Sequence, residues 1–239
     1  MESLTVYKSV FPKKRCGNPN GDGGYVIATC LTYDYFISCG ISDDITFEKD
    51  FLEMYPTIKC SAFDGTIDTI PENIENLTFI KKNISYYNDE NTTNIHDILT
   101  MYSNIMLKMD IETYEFRFLQ TLSTEHLKNI KQLVIEFHFP FSETNFTNLD
   151  SPLPIYQKIE CLKKLSQTHY LIHFKPNTAC GKILYNDVVV PNVFECTYIR
   201  KDVQQNIGLN SDSIPSTIDR KNRTTDEEFY IDYPPFVNK

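Results

Sequence analysis

The chain has 239 residues, 41% of them hydrophobic, which is enough for one globular domain with a substantial core. Its net charge of −9 repels a phosphate backbone, and the sequence contains no local basic patch, so we expect no nucleic-acid partner. The seven cysteines are odd in number and include no Cys-x-x-Cys pair, which argues against a disulfide framework or a zinc site.

The amino terminus lacks the basic and apolar segments of a secretory signal, and no apolar run is long enough to cross a bilayer. We therefore expect a soluble, cytoplasmic protein in a reducing compartment, without a membrane partner. The sequence leaves a homodimer open.

The first local feature is a segment at residues 10–25 that contains four of the eight glycines. This density predicts a tight loop that leads into a strand at residues 25–30. The loop is either an ordinary β-turn or a flap whose glycine backbone approaches a ligand closely.

A strand, a glycine turn and a helix are predicted next. The strand covers residues 35–38, Gly40 lies in the turn, and the helix has its N-cap among residues 42–44. A second strand at residues 58–63 ends in Asp64 and Gly65. Such a unit can bind a nucleotide-like ligand, with the acidic residue on a ribose, although Asp64 and Gly65 can equally form a simple turn.

Strands and helices continue to alternate along the chain. A strand at residues 77–81 precedes a helix capped by Thr92 or Thr93, and an apolar strand at residues 105–109 ends in Asp110 and Glu112. A helix is predicted from Ile111 to Leu122, followed by a short one at residues 124–130.

The strand predicted at residues 132–139 carries Glu136 and His138 on one face, by its period of two. Residues 140–154 form a loop long enough to act as a lid. A helix from Ile155 to Leu165 and strands at residues 170–174 and 192–199 follow. Residues 1–200 are thus expected to form one domain, and the polar but aromatic residues 201–239 an irregular tail docked on it.

This alternation predicts a doubly wound α/β domain with a mainly parallel sheet. Strand order should reverse between the strands at residues 35–38 and 105–109, which leaves a crevice at their carboxyl ends. The glycine turn, Asp64, Asp110, Glu136 and His138 would face it. Each also has a structural reading: Asp110 as a helix cap, Glu136 as the partner of a lysine, and His138 as a core histidine.

Four motifs resemble those of the FkbM-related class I methyltransferases, in the branch that contains methyltransferase-like proteins of animals and large DNA viruses. The resemblance runs from about Arg15 to Arg200 and rests on Lys-x-Asp-x-Glu at residues 108–112, Glu-x-His at 136–138, Asp-Gly-Gly-Tyr at 22–25, and the turn from residue 38 to 48. Two positions depart from the family pattern: Thr113 replaces a glycine, and Lys175 replaces a histidine in a His-x-Asn-like segment.

The resemblance implies a Rossmann-like fold with a seven-stranded sheet, an antiparallel strand near the carboxyl terminus, and S-adenosylmethionine (SAM) as cofactor. If the chain is viral, it would act in the host cytoplasm. The expected cofactor-binding residues are Ser38, Gly40, Ile41, Ser42, Asp64, Gly65, Asp110, Ile111 and Glu112. The expected substrate contacts are Tyr25, Asn177 and Glu195.

The implied reaction is O-methyl transfer to a hydroxyl of a small molecule, with a sugar of a glycan as the expected acceptor. His138 would act as general base, oriented by Glu136 and close to Asp110. Alternatively Asp110, Glu136 and His138 bind a divalent cation, Mg or Mn, that acidifies the hydroxyl. A non-catalytic SAM- or nucleotide-binding module is a rival, as is a nicotinamide-dependent oxidoreductase, which normally has three glycines in its turn.

Overall fold

The structure is a computed structural model that describes residues 1–143 and 152–238. Its strands, numbered in chain order, are β1 (Lys13–Gly17), β2 (Gly24–Ala28), β3 (Tyr35–Cys39), β4 (Cys60–Phe63), β5 (Leu77–Ile80), β6 (Asn83–Ile84), β7 (Thr92–Thr93), β8 (Ile105–Met109), β9 (Ile130–His138), β10 (His169–Pro176), β11 (Lys182–Tyr185), β12 (Val188–Pro191) and β13 (Val193–Arg200). The α-helices are α1 (Thr46–Met54), α2 (His96–Met101), α3 (Glu115–Thr121), α4 (Thr124–Asn129) and α5 (Ile155–Thr168).

Seven strands form the central sheet, in the order β10-β13-β9-β8-β3-β4-β5. Strands β3, β4, β5, β8 and β9 pair in parallel, whereas β13 is antiparallel to both of its neighbours, β9 and β10. The sheet is therefore mixed rather than purely parallel, in a Rossmann-like α/β arrangement. The chain runs outward from β3 through β4 to β5 and then returns to β8 on the other side of β3, which confirms the predicted reversal of strand order.

Both faces of the sheet are covered, which explains why its central strands are largely apolar. Ile105, Leu107 and Met109 of β8 point into one hydrophobic cluster, and Met106, between them in sequence, belongs to the cluster on the opposite face. All four side chains are fully buried. Polar residues near the carboxyl ends of these strands thus depart from an otherwise apolar pattern.

The helices occur where periodicity predicts them, but several begin at other residues. Helix α3 starts at Glu115 rather than at Ile111, and α2 starts at His96, whereas its predicted capping residues belong to β7. The N-cap position of α1 is Ile45. Of the predicted cap candidates, Asp44 still contributes, because its Oδ1 accepts a hydrogen bond of 2.9 Å from the Thr46 N–H.

The glycine-rich segment at residues 10–25 is not a loop throughout. Strand β1 pairs with β2 in an antiparallel hairpin, from Lys13 opposite Ala28 to Gly17 opposite Gly24. The prediction of a loop is confirmed for residues 18–23, which form the turn of the hairpin, and was wrong for residues 13–17, where cationic residues and a glycine form a strand that buries Cys16.

Residues 201–238 contain no strand of the central sheet in the described structure, yet they lie against it. The Phe236 ring packs on Phe174 of β10, with 4.7 Å between centroids, and His173 Nε2 lies 2.9 Å from Asp219 Oδ1. Of the predicted lid, residues 144–151 fall outside the described residues. None of the helices in the described ranges combines the length and the apolarity needed to cross a bilayer.

His169 makes the stability of the fold sensitive to acid. Its ring is buried at the start of β10, with Nε2 2.8 Å from the Ile130 carbonyl oxygen, and burial lowers its pKa to about 4. Because an unfolded histidine has a pKa near 6.5, the unfolded chain binds the extra proton as pH falls from 6.5 towards 4, and stability is lost over that window. Above pH 6.5 the contribution is complete.

We predict that His169→Gln, whose side-chain N–H can still donate to Ile130, loses less stability than the wild type on acidification. Between pH 7.5 and 5 the wild type should lose about 2 kcal/mol more than the variant. Urea unfolding at the two pH values measures this difference. Equal losses in both proteins would show that His169 does not titrate in this way.

Candidate functional site

The glycine turn after β3 joins three strand ends. Gly40 has φ +75°, and a Cβ at this position would lie 1.6 Å from the Asp110 carbonyl oxygen. The Gly40 N–H donates to the Phe63 carbonyl of β4 at 2.9 Å, and the Asp110 N–H donates to the Cys39 carbonyl of β3 at 3.0 Å. Lys108 Nζ donates to the Gly40 carbonyl at 2.6 Å. Only glycine fits this close approach of two backbones.

Asp64, at the end of β4, holds the same turn from the other side. Its Oδ2 accepts the N–H groups of Ile41 at 3.2 Å and Ser42 at 2.8 Å, and its Oδ1 accepts the Thr66 N–H and hydroxyl at 2.7 and 2.6 Å. Burial opposes ionisation of Asp64, but these hydrogen bonds lower its pKa below the ordinary value. An ionised carboxylate thus occupies the N–H groups of the turn.

Two further residues expected to bind the cofactor, Ser38 and Gly65, make hydrogen bonds with other parts of the protein. The Ser38 hydroxyl donates to Glu48, a fully buried residue of α1. The Gly65 N–H donates to Asn83 Oδ1 at 3.0 Å, and a Cβ on Gly65 would meet the Asn83 side chain at 2.5 Å. In this structure both residues therefore have partners within the protein.

Tyr25 of β2 links the β1–β2 hairpin to two carboxylates at the carboxyl ends of β8 and β9. Its hydroxyl lies 2.8 Å from Asp110 Oδ2 and 3.3 Å from Glu136 Oε2. Asn177 Nδ2 donates to Glu136 Oε1 at 2.7 Å. Burial, reinforced by the charges of Asp110 and Glu195, raises the pKa of Glu136 well above its ordinary value. The structure therefore brings together four of the predicted residues: Tyr25, Asp110, Glu136 and Asn177.

His138, the last residue of β9, lies among further carboxylates. Its Nδ1 is 3.0 Å from Glu115 Oε1, and its Nε2 is 3.5 Å from Glu112 Oε2 and 4.0 Å from Asp110 Oδ1. Burial favours the neutral ring, but the surrounding carboxylates, Glu115 above all, outweigh it and raise the pKa of His138 to about 10. In the absence of a ligand the imidazole is therefore protonated at neutral pH.

The carboxylate that orients His138 is thus Glu115, whereas the sequence suggested Glu136. Glu115 is the first residue of α3 and has no exposed surface. Its Oε1 also accepts the N–H groups of Ile111 and Thr113, each at 3.2 Å. The sequence signal that could have indicated Glu115 is an acidic residue in the first turn of a helix, a few residues after Asp110.

The loop that carries Glu112 to this site is strained. Glu112 has φ +53° and Thr113 has φ +82°, a conformation that a β-branched residue rarely adopts. Thr113 stands where the family pattern has glycine, and here it keeps the backbone conformation that glycine would favour. Strain of this kind is concentrated at ligand-binding and catalytic sites in proteins.

A second polar cluster lies beside the first and includes a residue that the sequence did not indicate. Glu195, an expected substrate contact, is buried and paired with Lys175. Asn222, from the carboxyl-terminal segment, accepts a hydrogen bond from Lys175 Nζ at 3.1 Å and donates one to Asp22 Oδ1 at 2.8 Å. The carboxyl-terminal segment therefore closes this side of the site.

Comparison with known proteins adds little. No protein-family model matches the chain, and no curated protein matches it. A putative methyltransferase from Thermoplasma acidophilum has 10% identity and a TM-score of 0.35, over 70% of this chain and 68% of that one. A putative hemolysin from Streptococcus thermophilus has 11% identity and a TM-score of 0.37, over 82% and 74%. At these TM-scores neither likeness identifies an activity.

We predict that Gly40→Ala destabilises the protein by more than about 3 kcal/mol, because the new methyl group cannot avoid the Asp110 carbonyl. Gly208→Ala is the matched control. Gly208 also has positive φ, at +110°, but open space surrounds its Cβ position, so the cost should be only about 1–2 kcal/mol of backbone strain. Urea unfolding compares the two, and similar losses would mean that the turn is not sterically closed.

Proposed function

We propose that this chain is a SAM-dependent methyltransferase that transfers a methyl group to a hydroxyl of a small molecule, with a sugar of a glycan as the expected acceptor. The observation that carries the proposal is the charge of the crevice. The carboxylates of Asp110, Glu112 and Glu115 lie within 4.0 Å of His138, at the ends of β8 and β9. Such a site favours a cationic ligand, and SAM carries both an ammonium and a sulfonium group.

The residues present fit SAM at three points. Asp110 Oδ1 is buried without a hydrogen-bond partner among the described residues, so it can face the positive sulfur. The turn from Gly40 to Ser42 would hold the methionine end through its ammonium group, because the Ile41 and Ser42 N–H groups already donate to Asp64. Asp64 would accept the ribose hydroxyls, in place of the Thr66 hydroxyl that it now binds. Ile111 and Glu112 lie on the loop that follows Asp110.

Asp64 and the glycine turn disfavour the binding of a nicotinamide dinucleotide. A pyrophosphate needs free N–H groups at the glycine turn, and here the Ile41 and Ser42 N–H groups already donate to Asp64. The Asp64 carboxylate would repel a phosphate placed there. This favours the methyltransferase over the oxidoreductase alternative, in addition to the single glycine of the turn.

SAM supplies an activated methyl group when it is bound, and the protein must hold an acceptor hydroxyl in line with it and remove the hydroxyl proton. His138 can accept that proton only as a neutral imidazole, whereas with a pKa of about 10 it is protonated in the ligand-free chain. A positive charge bound against Asp110 lowers the pKa of His138 and so favours the neutral base. Glu136 is fixed beside it by Tyr25 and Asn177, and its raised pKa favours the neutral carboxylic acid, so its role is to orient its neighbours.

A hydroxylated acceptor suits the polar groups on the far side of Glu136. Asn177, Glu195 and Tyr25 offer amide, carboxylate and phenol groups, the kinds of group that hydrogen-bond to sugar hydroxyls. They are already joined to neighbouring side chains, which fixes their orientation. The sugar itself is suggested only by the family resemblance.

The first test is ligand binding. S-adenosylhomocysteine, the demethylated cofactor, at about 100 times its dissociation constant should stabilise the folded chain by about 2.7 kcal/mol and raise its melting temperature. NAD at the same concentration should leave the melting temperature unchanged. Stabilisation by NAD but not by S-adenosylhomocysteine would favour the oxidoreductase.

The second test separates an enzyme from a binding module. His138→Ala and Glu136→Gln should each lower methyl transfer from radiolabelled SAM to a saccharide acceptor about 100-fold or more, and should retain S-adenosylhomocysteine binding. Glu125→Gln, the same chemical change at an exposed ion pair, should keep full activity. If methyl transfer survives both substitutions, His138 and Glu136 are not catalytic residues.

A further inference from the structure

We propose that Asp110, Glu115 and His138 form a binding site for one divalent cation of the Mg²⁺ or Mn²⁺ type. One ligand atom from each of these side chains can be chosen so that all three lie within 4.8 Å of one another. They come from three elements that the sheet topology brings to one edge: the end of β8, the start of α3 and the end of β9. A cation site on these residues does not depend on the proposed methyl transfer.

Two carboxylate oxygens at this site make no hydrogen bond with the residues that the structure describes. Glu115 Oε2 and Asp110 Oδ1 are both buried and, within the described residues, make no hydrogen bond. The Glu115 side chain has no exposed surface at all. A buried charged oxygen without a partner is energetically costly, so such atoms are usually paired or bound to a metal. A cation held by the two carboxylates would supply the missing partner.

The other oxygen of each carboxylate is fixed by hydrogen bonds. Tyr25 holds Asp110 Oδ2 at 2.8 Å, and the N–H groups of Ile111 and Thr113 hold Glu115 Oε1. This is the pattern of metal ligands in proteins, where a surrounding shell of hydrogen bonds orients the coordinating groups. These backbone donors belong to the loop at residues 111–113, in which Glu112 and Thr113 have positive φ.

Glu136, which the sequence suggested as the third ligand, has a different role in this geometry. Both of its oxygens are engaged, Oε1 by Asn177 and Oε2 by Tyr25. Through Tyr25 it supports the orientation of Asp110 from outside the ligand set. Glu112, whose side chain is 70% exposed, lies at the rim of the site.

Two carboxylates and one imidazole suit a hard cation that keeps water in its remaining positions, and the site contains no thiolate to favour zinc or copper. If the proposed methyl transfer holds, a cation bound by His138 would take over from the histidine the task of acidifying the acceptor hydroxyl, which is a known role of bound divalent metals. That extension alone rests on the proposed function.

Mn²⁺ binding to the full chain, stripped with EDTA, tests the site. Calorimetry and the loss of the free Mn²⁺ signal in electron paramagnetic resonance should show one Mn²⁺ per chain, which Mg²⁺ displaces. Glu115→Gln should weaken binding by roughly tenfold or more, while its remaining carbonyl oxygen still accepts the Ile111 and Thr113 N–H groups and preserves the fold. Glu125→Gln, an exposed control, should bind as the wild type does.

The proposal is overturned if the wild type fails to bind Mn²⁺ at millimolar concentration, or if Glu115→Gln and Asp110→Asn both bind it as tightly as the wild type. Asp110→Asn serves as the second variant, so a folding defect in one does not decide the result. S-adenosylhomocysteine binding is measured in the same samples. Cofactor binding without Mn²⁺ binding would refute the cation site alone, and Mn²⁺ binding without cofactor binding would refute the methyltransferase alone.

Discussion

The contact between the Gly40 turn and the backbone of Asp110 is the constraint on which the site depends. Because Gly40 carries no side chain, the end of β3 can lie directly against the residue that follows β8. The hydrogen bonds from Gly40 to β4 and from Asp110 to β3 then hold the carboxyl ends of β3, β4 and β8 together. This places Asp64 and Asp110 on either side of one turn, at the point where strand order reverses.

The charges around that turn determine what the crevice can bind. Asp64 takes up the backbone N–H groups that would otherwise attract a phosphate. Beyond it, the carboxylates of Asp110, Glu112 and Glu115 lie within 4.0 Å of His138, which alone among these residues can carry a positive charge. The excess of negative charge at this site therefore favours a bound cation. The proposed sulfonium ligand and the proposed metal ion are both positively charged and would each neutralise part of it. His138 holds a proton until one of them arrives.

Much of this arrangement could be predicted from sequence because it follows local rules. The apolar run of β8 that ends in Asp110, the period-two pairing of Glu136 with His138, and Gly40 between a strand and a helix are all read from neighbouring residues. The contacts that complete the site join residues that are distant in the sequence. Glu115 meets His138 across 23 positions, and Asn222 meets Lys175 across 47, so no local pattern identifies them. The hairpin of β1 was missed because cationic residues and glycines seldom form strands.

A crystal structure of the chain grown with S-adenosylhomocysteine and Mn²⁺ tests the central claim most directly, since it locates both ligands at once. The account predicts the cofactor against the Gly40 turn, with its ribose at Asp64 and its sulfur facing Asp110, and an anomalous manganese peak beside Glu115 and His138. A cofactor bound elsewhere on the chain, with the Asp64 and Asp110 carboxylates facing only protein, would contradict it.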